Sequence, residues 1–591
     1  MAKLFLDNDR LVISGDGYHE FAVTEDALAA ILLVSLGYGV DDLPHRLADA
    51  ETALQTLRDA DVNLALSPNP TAKGFHFLPH STPSHQRMLS GRLAQRAAQQ
   101  PEALALILDM GPDTGAYEIS AEDLHALVGD VASRFAGEGI VAGDHIAVSS
   151  NPSLESIVLL HAAWEVGISA VLVRDNASDA LMEVIDQHVG PKLWFLPEGK
   201  KVPAGGKVVR LTGAASGGFD DWLDAGPMAE PVCKVTPETE AVVVPSSGST
   251  GEPKLLALSH RGLFHSTHLA LSSAPEPVDG GAHRHSSSTD LTAIAGLRSL
   301  AALPLVSRHA AVILADGIRE SSLGILEAFG RLKVTHAQVI PGSLRAAIEM
   351  GDSRLGALHL KNLVLVASGT GVLHRALRDE TARIFGCVLR DNYGMNECTG
   401  AFAWNDEATV STAGAPSFNA LVRIVRTDGT PCEIGETGHV RIFSEGLFSG
   451  QYTSAGYIER PRGWFTAGDL GVRQPDGSFA IVGRSHDLIK SQEGEFISPI
   501  AIESAALRVA SVQDAVVVKL PASQRGERFA LAVEAAQNDD NWLTMALSQA
   551  INASVGPFAV PDKISVLASL PRAANGKPDR ARLASMLAEN G

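Results

Sequence analysis

The chain has 591 residues, too many for a single hydrophobic core, so several domains are expected. Its composition is 45% hydrophobic and 20% charged with a formal net charge of −20, which fits a globular protein and argues against general affinity for nucleic acid or anionic membrane. The four cysteines (Cys233, Cys387, Cys398, Cys432) lack metal-type spacing, the N-terminus lacks a signal-peptide core and no apolar run is long enough to span a bilayer, which together predict a cytoplasmic protein.

Residues 1–85 read as a separate module. Strands are predicted at 3–6 and 11–14, a helix near 25–36, a second helix over about 45–61, and a Pro/Ser-rich linker over 67–84. No chemistry is visible there, and the module is expected to dock a partner or dimerise. From about residue 90 apolar strands alternate with amphipathic helices: 103–108, Ala121–Gly137, His145–Ser149, Leu154–Val166 and Ser169–Val173. That rhythm predicts α/β layers with helices on both faces of the sheets. Two polar loops, 213–219 and 274–289, interrupt it. The second carries His283, Arg284 and His285, which read as solvated surface rather than metal ligands. Beyond about 415 strands dominate (422–425, 438–443, 479–482), and a last α/β segment runs from 484 to 591 with strands at 515–518 and 530–533.

Five stretches carry chemistry. The first, Pro245-Ser246-Ser247-Gly248-Ser249-Thr250-Gly251-Glu252-Pro253-Lys254, follows the apolar run Ala241-Val242-Val243-Val244. Its glycines allow close backbone approach, its hydroxyls and N–H groups can converge on one anion, and Lys254 adds a cation. It is not the Walker order, which ends in Gly-Lys-Ser/Thr. The second, Asp391-Asn392-Tyr393-Gly394-Met395-Asn396-Glu397, offers a ring for stacking and a carboxylate for Mg²⁺. The third, Gly463-Trp464-Phe465-Thr466-Ala467-Gly468-Asp469-Leu470, presents an acid suited to vicinal hydroxyls. The fourth is Gly483-Arg484-Ser485-His486-Asp487-Leu488-Ile489-Lys490, followed by Glu493-Gly494-Glu495. The fifth, Pro571-Arg572-Ala573-Ala574-Asn575-Gly576-Lys577-Pro578-Asp579-Arg580, has a Gly-Lys in a C-terminal loop.

In this order and at these separations the five stretches resemble the adenylate-forming superfamily of acyl-CoA synthetases, luciferases and peptide-synthetase adenylation domains, over about residues 90–585. The resemblance implies an α/β adenylation domain (86–483) that includes a small β-barrel-like part, and a small mobile α+β lid (484–591). It implies an ATP- and Mg²⁺-dependent ligase that joins a carboxylic acid to AMP and passes the acyl group to CoA or to a separate carrier protein. By the same resemblance Ser246, Ser247, Gly248, Ser249, Thr250, Gly251 and Lys254 hold the phosphates. Glu397 binds Mg²⁺, Tyr393 contacts adenine, Asp469 and Arg484 take the ribose, and Lys577 is the adenylation lysine. His486 stands at the hinge, where Asp or Lys is usual, and Lys490 assists the thiol half-reaction. Asn396 replaces the usual threonine at the α-phosphate, and Ala467 another. The acid pocket is expected to include Asp290, Ala293 and Gly369, with His336 either lining it or in the core. Asp290 is either the anchor of a substrate ammonium, as in amino-acid-activating members, or the N-cap of a helix over 291–300. An amide ligase, a stand-alone amino-acid-activating adenylation enzyme and a degenerate nucleotide-binding protein are the alternative functions.

Overall fold

A computed structural model describes residues 3–7, 10–14, 18–22, 25–35, 82–211, 218–247, 253–277, 281–349, 356, 358–369, 373, 375–405, 413–417, 420–490, 496–523, 526–535, 540–572 and 578–589. The N-terminal strands Lys3–Asp7, Arg10–Ser14 and Tyr18–Ala22 form an antiparallel sheet ahead of the helix Glu25–Ser35. The third of these strands was not anticipated, and the helix expected over 45–61 lies outside the described residues.

Two large sheets follow. An eight-stranded sheet runs in the spatial order Gly456–Glu459, Gly450–Thr453, Pro253–Ser259, Glu240–Ser247, Ser169–Val173, His145–Ser149, Leu193–Leu196, Val208–Arg210. Its centre is parallel, and its β-branched strands are buried on both faces, as parallel sheets require. The helix Leu154–Val166 shows how local sequence sets these elements. Ser153 and Ser156 form a capping box at its start, and Gly167, at φ 81°, ends it in the left-handed conformation. Almost every residue between is buried, so this helix reads as apolar all round and is held between layers.

The nine-stranded sheet has the order Ala415–Pro416, Gly400–Asn405, Val388–Met395, Leu365–Ser368, His336–Val339, Arg284–Ser287, Ala310–Ile313, Leu104–Asp109, Ala116–Ser120. Arg284–Ser287 is therefore an interior parallel strand, where the sequence had suggested a solvated loop. Its histidine is covered by stacking rather than by aliphatic packing: the rings of His285 and His336 lie 4.4 Å apart and those of His283 and His309 3.8 Å apart. The helix expected over 291–300 is instead a short α-turn, Ile294–Gly296, continued by a π-helical segment Leu297–Ala302 and then Leu303–Val306.

The strands Leu421–Val425, Thr437–Phe443, Phe465–Arg473 and Phe479–Arg484 form an open antiparallel sheet, so the expected barrel-like part is not a closed barrel. Four strands are too few to curl around a filled interior. Their inner face packs on Phe402, Ala403 and Cys398 of the neighbouring hairpin instead. After Arg484 comes a small α+β unit: strands Val512–Ser523, Gly526–Ala535 and Lys563–Leu567, with helices Pro499–Ala506, Asp540–Ser554 and Arg580–Glu589 around them. Among the described residues no helix is long and apolar enough to cross a membrane.

Candidate functional site

The strands Glu240–Ser247 and Pro253–Ser259, which flank the glycine-rich stretch, pair antiparallel with Ser246 opposite Lys254. Gly248, Ser249, Thr250 and Gly251 lie outside the described residues. Ser246 Oγ is buried and, among the described residues, has no hydrogen-bond partner. Leaving a hydroxyl unsatisfied is costly, so its position beside this stretch suits an acceptor that the described residues do not provide.

Val388–Met395 carries the second stretch. Its register slips between Tyr393 and Gly394 as it pairs with Gly400–Asn405. A Cβ on Gly394 would stand 2.2 Å from the carbonyl oxygen of Gly400, so only glycine fits there. Thr399, at φ 50°, closes the turn after Asn396–Cys398, and its hydroxyl donates to the Gly446 carbonyl. Glu397 sits in this turn, and among the described residues its carboxylate makes no hydrogen bond or ion pair, leaving it available to a cation. Asn396 is its partly buried neighbour.

Three of the five stretches meet at one point. Strand pairing sets Asp469 opposite Arg484, with Asp469 Oδ1 3.5 Å from Arg484 Nε. The Tyr393 hydroxyl donates to Asp469 Oδ2. Burial first, and then the Asp469 charge, push the Tyr393 phenol well above its ordinary pKa, so it stays a donor at neutral pH. Its ring meets Phe402 edge-on with centroids 5.0 Å apart. Ala467 is buried in the core beneath, where an apolar methyl suits its surroundings.

Strand alternation sends Arg390 and Asn392 to the opposite face from Tyr393, where they line a cavity with His285, Arg298, His336 and Gln338. Gly369 adjoins it: a Cβ there would come within 3.2 Å of the Asn392 carbonyl oxygen. The parallel strands line this cavity from their first and middle positions, with His285 and Ser286, His336 to Gln338, and Leu365 and Ala367. Asp290 is fully engaged: Oδ2 lies 3.0 Å from Arg174 Nε, and Oδ1 accepts from the Thr292 amide at 3.0 Å. Ala293 is the residue before the short α-turn.

His283, His285 and His336 bring ring nitrogens within 4.8 Å of one another. Each ring has a nitrogen with a partner: His285 Nε2 with His309 Nδ1 at 3.1 Å, His336 Nε2 with the Pro275 carbonyl at 2.9 Å, and His283 Nε2 with Glu276 at 2.9 Å, while His283 Nδ1 has none among the described residues. Burial lowers the His336 pKa to about 4 and that of His309 to about 3, so they are neutral packing elements at neutral pH.

The remaining sites lie beyond Arg484. His486 is exposed, and Lys519 Nζ donates to the Leu488 carbonyl at 2.7 Å and to that of His486 at 3.3 Å, clasping the turn. The Lys490 amide donates to Glu527 Oε2 at 2.7 Å, and its side chain is exposed. Lys577, Glu493, Gly494 and Glu495 lie outside the described residues. Sequence reasoning missed Arg298 and Arg390. The available signal was an arginine inside the otherwise apolar run 294–306.

Residues 93–452 match the family described as AMP-binding enzyme, and residues 501–577 match the AMP-binding enzyme C-terminal domain. A 2-hydroxy-7-methoxy-5-methyl-1-naphthoate–CoA ligase of Streptomyces carzinostaticus is 28% identical over 84% of this chain and 92% of its own. The fold is shared with the anthranilate CoA ligase AuaEII in complex with anthranoyl-AMP (TM-score 0.74, 20% identity, 86% of this chain and 99% of that one). It is also shared with an O-succinylbenzoate coenzyme A synthetase from Bacillus subtilis in complex with ATP and magnesium ion (TM-score 0.69, 22% identity, 83% and 98%).

Proposed function

Since the chain belongs to the AMP-binding enzyme family, we propose that it activates a carboxylic acid with ATP and transfers the acyl group to a thiol, that of CoA or of a carrier-protein phosphopantetheine. The observation that carries this reading is the meeting of Tyr393, Asp469 and Arg484, from three separate stretches, around one nearly buried carboxylate. A carboxylate flanked by a phenol and a guanidinium suits a pair of ribose hydroxyls. Ser246 and Lys254, opposite one another beside the glycine-rich stretch, suit the phosphates together with Ser247, Gly248, Ser249, Thr250 and Gly251. The residues available for Mg²⁺ fit it: the Glu397 carboxylate has no partner among the described residues, and the ion would neutralise phosphate oxygens.

In the first half-reaction an oxygen of the substrate carboxylate attacks the α-phosphorus and pyrophosphate leaves. In the second a thiolate attacks the acyl carbon and AMP leaves. Neither step needs a protein nucleophile, so catalysis rests on alignment and charge neutralisation. Lys577 would supply a movable cation to the first step, and Lys490 would replace it after the lid turns about His486. The amino-acid reading gains no support from Asp290, whose carboxylate is held by Arg174 and the Thr292 amide.

The test is pyrophosphate release from a panel of carboxylic and amino acids with ATP and Mg²⁺, with and without CoA or a phosphopantetheinylated carrier. Release that depends on the acid and falls about 100-fold or more in Lys577→Ala is expected. ATP binding without release from any acid would leave a nucleotide-binding protein in its place.

A further inference from the structure

The cavity beside Asn392 contains a largely buried charge that the described residues leave unmatched. Arg298 is only 9% exposed, and among the described residues it makes no hydrogen bond or ion pair. Burial lowers its pKa to about 10, with Arg390 the other influence, so it stays charged at neutral pH. The π-helical segment Leu297–Ala302 carries it, and π-turns are frequent at functional sites. The chain enters that segment through Gly296, where a Cβ would stand 2.3 Å from the Asp290 carbonyl oxygen.

Arg390 faces the same cavity, oriented by hydrogen bonds to Ser273 Oγ at 2.9 Å and the Ser273 carbonyl at 3.2 Å, with its guanidinium 5.0 Å from the centre of the Trp404 ring. His285 and His336, both held neutral by burial, and Gln338 complete the polar part of the wall. No aspartate or glutamate is among the described residues that line it. A guanidinium largely withdrawn from water, with no carboxylate beside it among the described residues, is better matched by an anion that enters with the ligand.

We propose that this cavity receives an acid bearing a second anionic group, a carboxylate or sulfonate, at the end remote from the carboxylate that reacts, and that Arg298 is its counter-ion with Arg390 beside it. The assignment of the reacting end rests on the adenylation reading above. Specificity for such acids then follows from rejection as much as attraction, because an uncharged tail would leave Arg298 buried and unmatched.

Pyrophosphate release is measured for straight-chain acids and for their ω-carboxy and ω-sulfo counterparts of equal length, in wild type, Arg298→Met and Arg298→Lys. The doubly charged acids are expected to exceed the matched monoacids by about 100-fold in kcat/KM in wild type. Arg298→Met should lose that preference, and Arg298→Lys should keep part of it. Arg298→Met removes an unmatched buried charge, so its melting temperature should be no lower than that of wild type, a control for folding. An equal rate with monoacids in wild type, or an unchanged preference in Arg298→Met, overturns the proposal and leaves the adenylation reading standing. Calorimetric titration of the same acids, without ATP, separates the two ideas. Binding of the doubly charged acid that is lost in Arg298→Met, with no pyrophosphate from any acid, upholds the anion site and refutes the adenylation reading. Neither binding nor release from any acid overturns both.

Discussion

Asp469 receives a phenol from one stretch of sequence and a guanidinium from another, and each bond has a separable effect. Tyr393→Phe keeps the ring and its packing on Phe402 but removes the donor to Asp469. A hydrogen bond to a charged group contributes about 1.5–3 kcal/mol, so KM for ATP should rise roughly tenfold or more in steady-state kinetics, with kcat changed less. Asp391, two residues earlier, makes a different prediction. Burial raises its pKa from 3.8 to about 7, opposed by the Arg378 charge. The folded state therefore prefers the neutral acid. That contribution is complete below the unfolded value and is lost as pH rises from about 4 to about 7. Asp391→Asn removes the titration, so its melting temperature, measured by calorimetry across this range, should gain on wild type as pH rises.

At the scale of elements, close backbone approach and buried charge decide which substitutions the fold accepts. The strand that presents Tyr393 can pair with its neighbour only because Gly394 has no side chain. Gly394→Ala would meet backbone rather than a yielding side chain, so Tyr393 must shift. A fall in ATP affinity alongside a lower melting temperature is the expected outcome. A second anchor ties the segment at residue 87 to the core. Arg87 Nη1 lies 3.0 and 3.1 Å from the two oxygens of Glu445, with Arg261 at 3.6 Å and His265 at 3.5 Å. Burial lowers the His265 pKa to about 4, so the arginines carry the charge that Glu445 balances. Glu445→Gln should cost about 3–5 kcal/mol in denaturant unfolding, because it leaves buried guanidinium charge without its anion.

For the whole molecule the decisive relation is between the large α/β part and the unit that follows Arg484. Arg345 lies 3.1 Å from Asp514 and donates to the Gln513 carbonyl at 2.8 Å, a polar and partly exposed contact of the kind that can open and re-form. The turn at His486 lies between the two parts, clasped by Lys519. Under the proposed rotation, His486→Pro fixes φ at the pivot and should slow thiol transfer by on the order of tenfold while pyrophosphate release changes little. Pre-steady-state measurement of the two half-reactions reads that split, and equal loss in both would count against a pivot at this residue.

Local pattern was enough to determine most elements and the composition of the nucleotide-facing stretches. Apolar alternation and capping residues act within a few positions, which is why Ala121–Gly137, His145–Ser149, Leu154–Val166 and Ser169–Val173 were legible from sequence. The strand Arg284–Ser287 was not, because its cover comes from histidines far along the chain, His309 and His336, whose rings stack on it only after the sheet has formed. The open four-stranded sheet was likewise settled by what packs on its inner face rather than by its own strands. Arg298 belongs to this second class. In sequence it is one arginine in a mostly apolar run, and only the tertiary structure, by surrounding it with the strands at His336, Leu365 and Arg390 and, among the described residues, no carboxylate, leaves it an unmatched charge, because desolvation is set by neighbours in space.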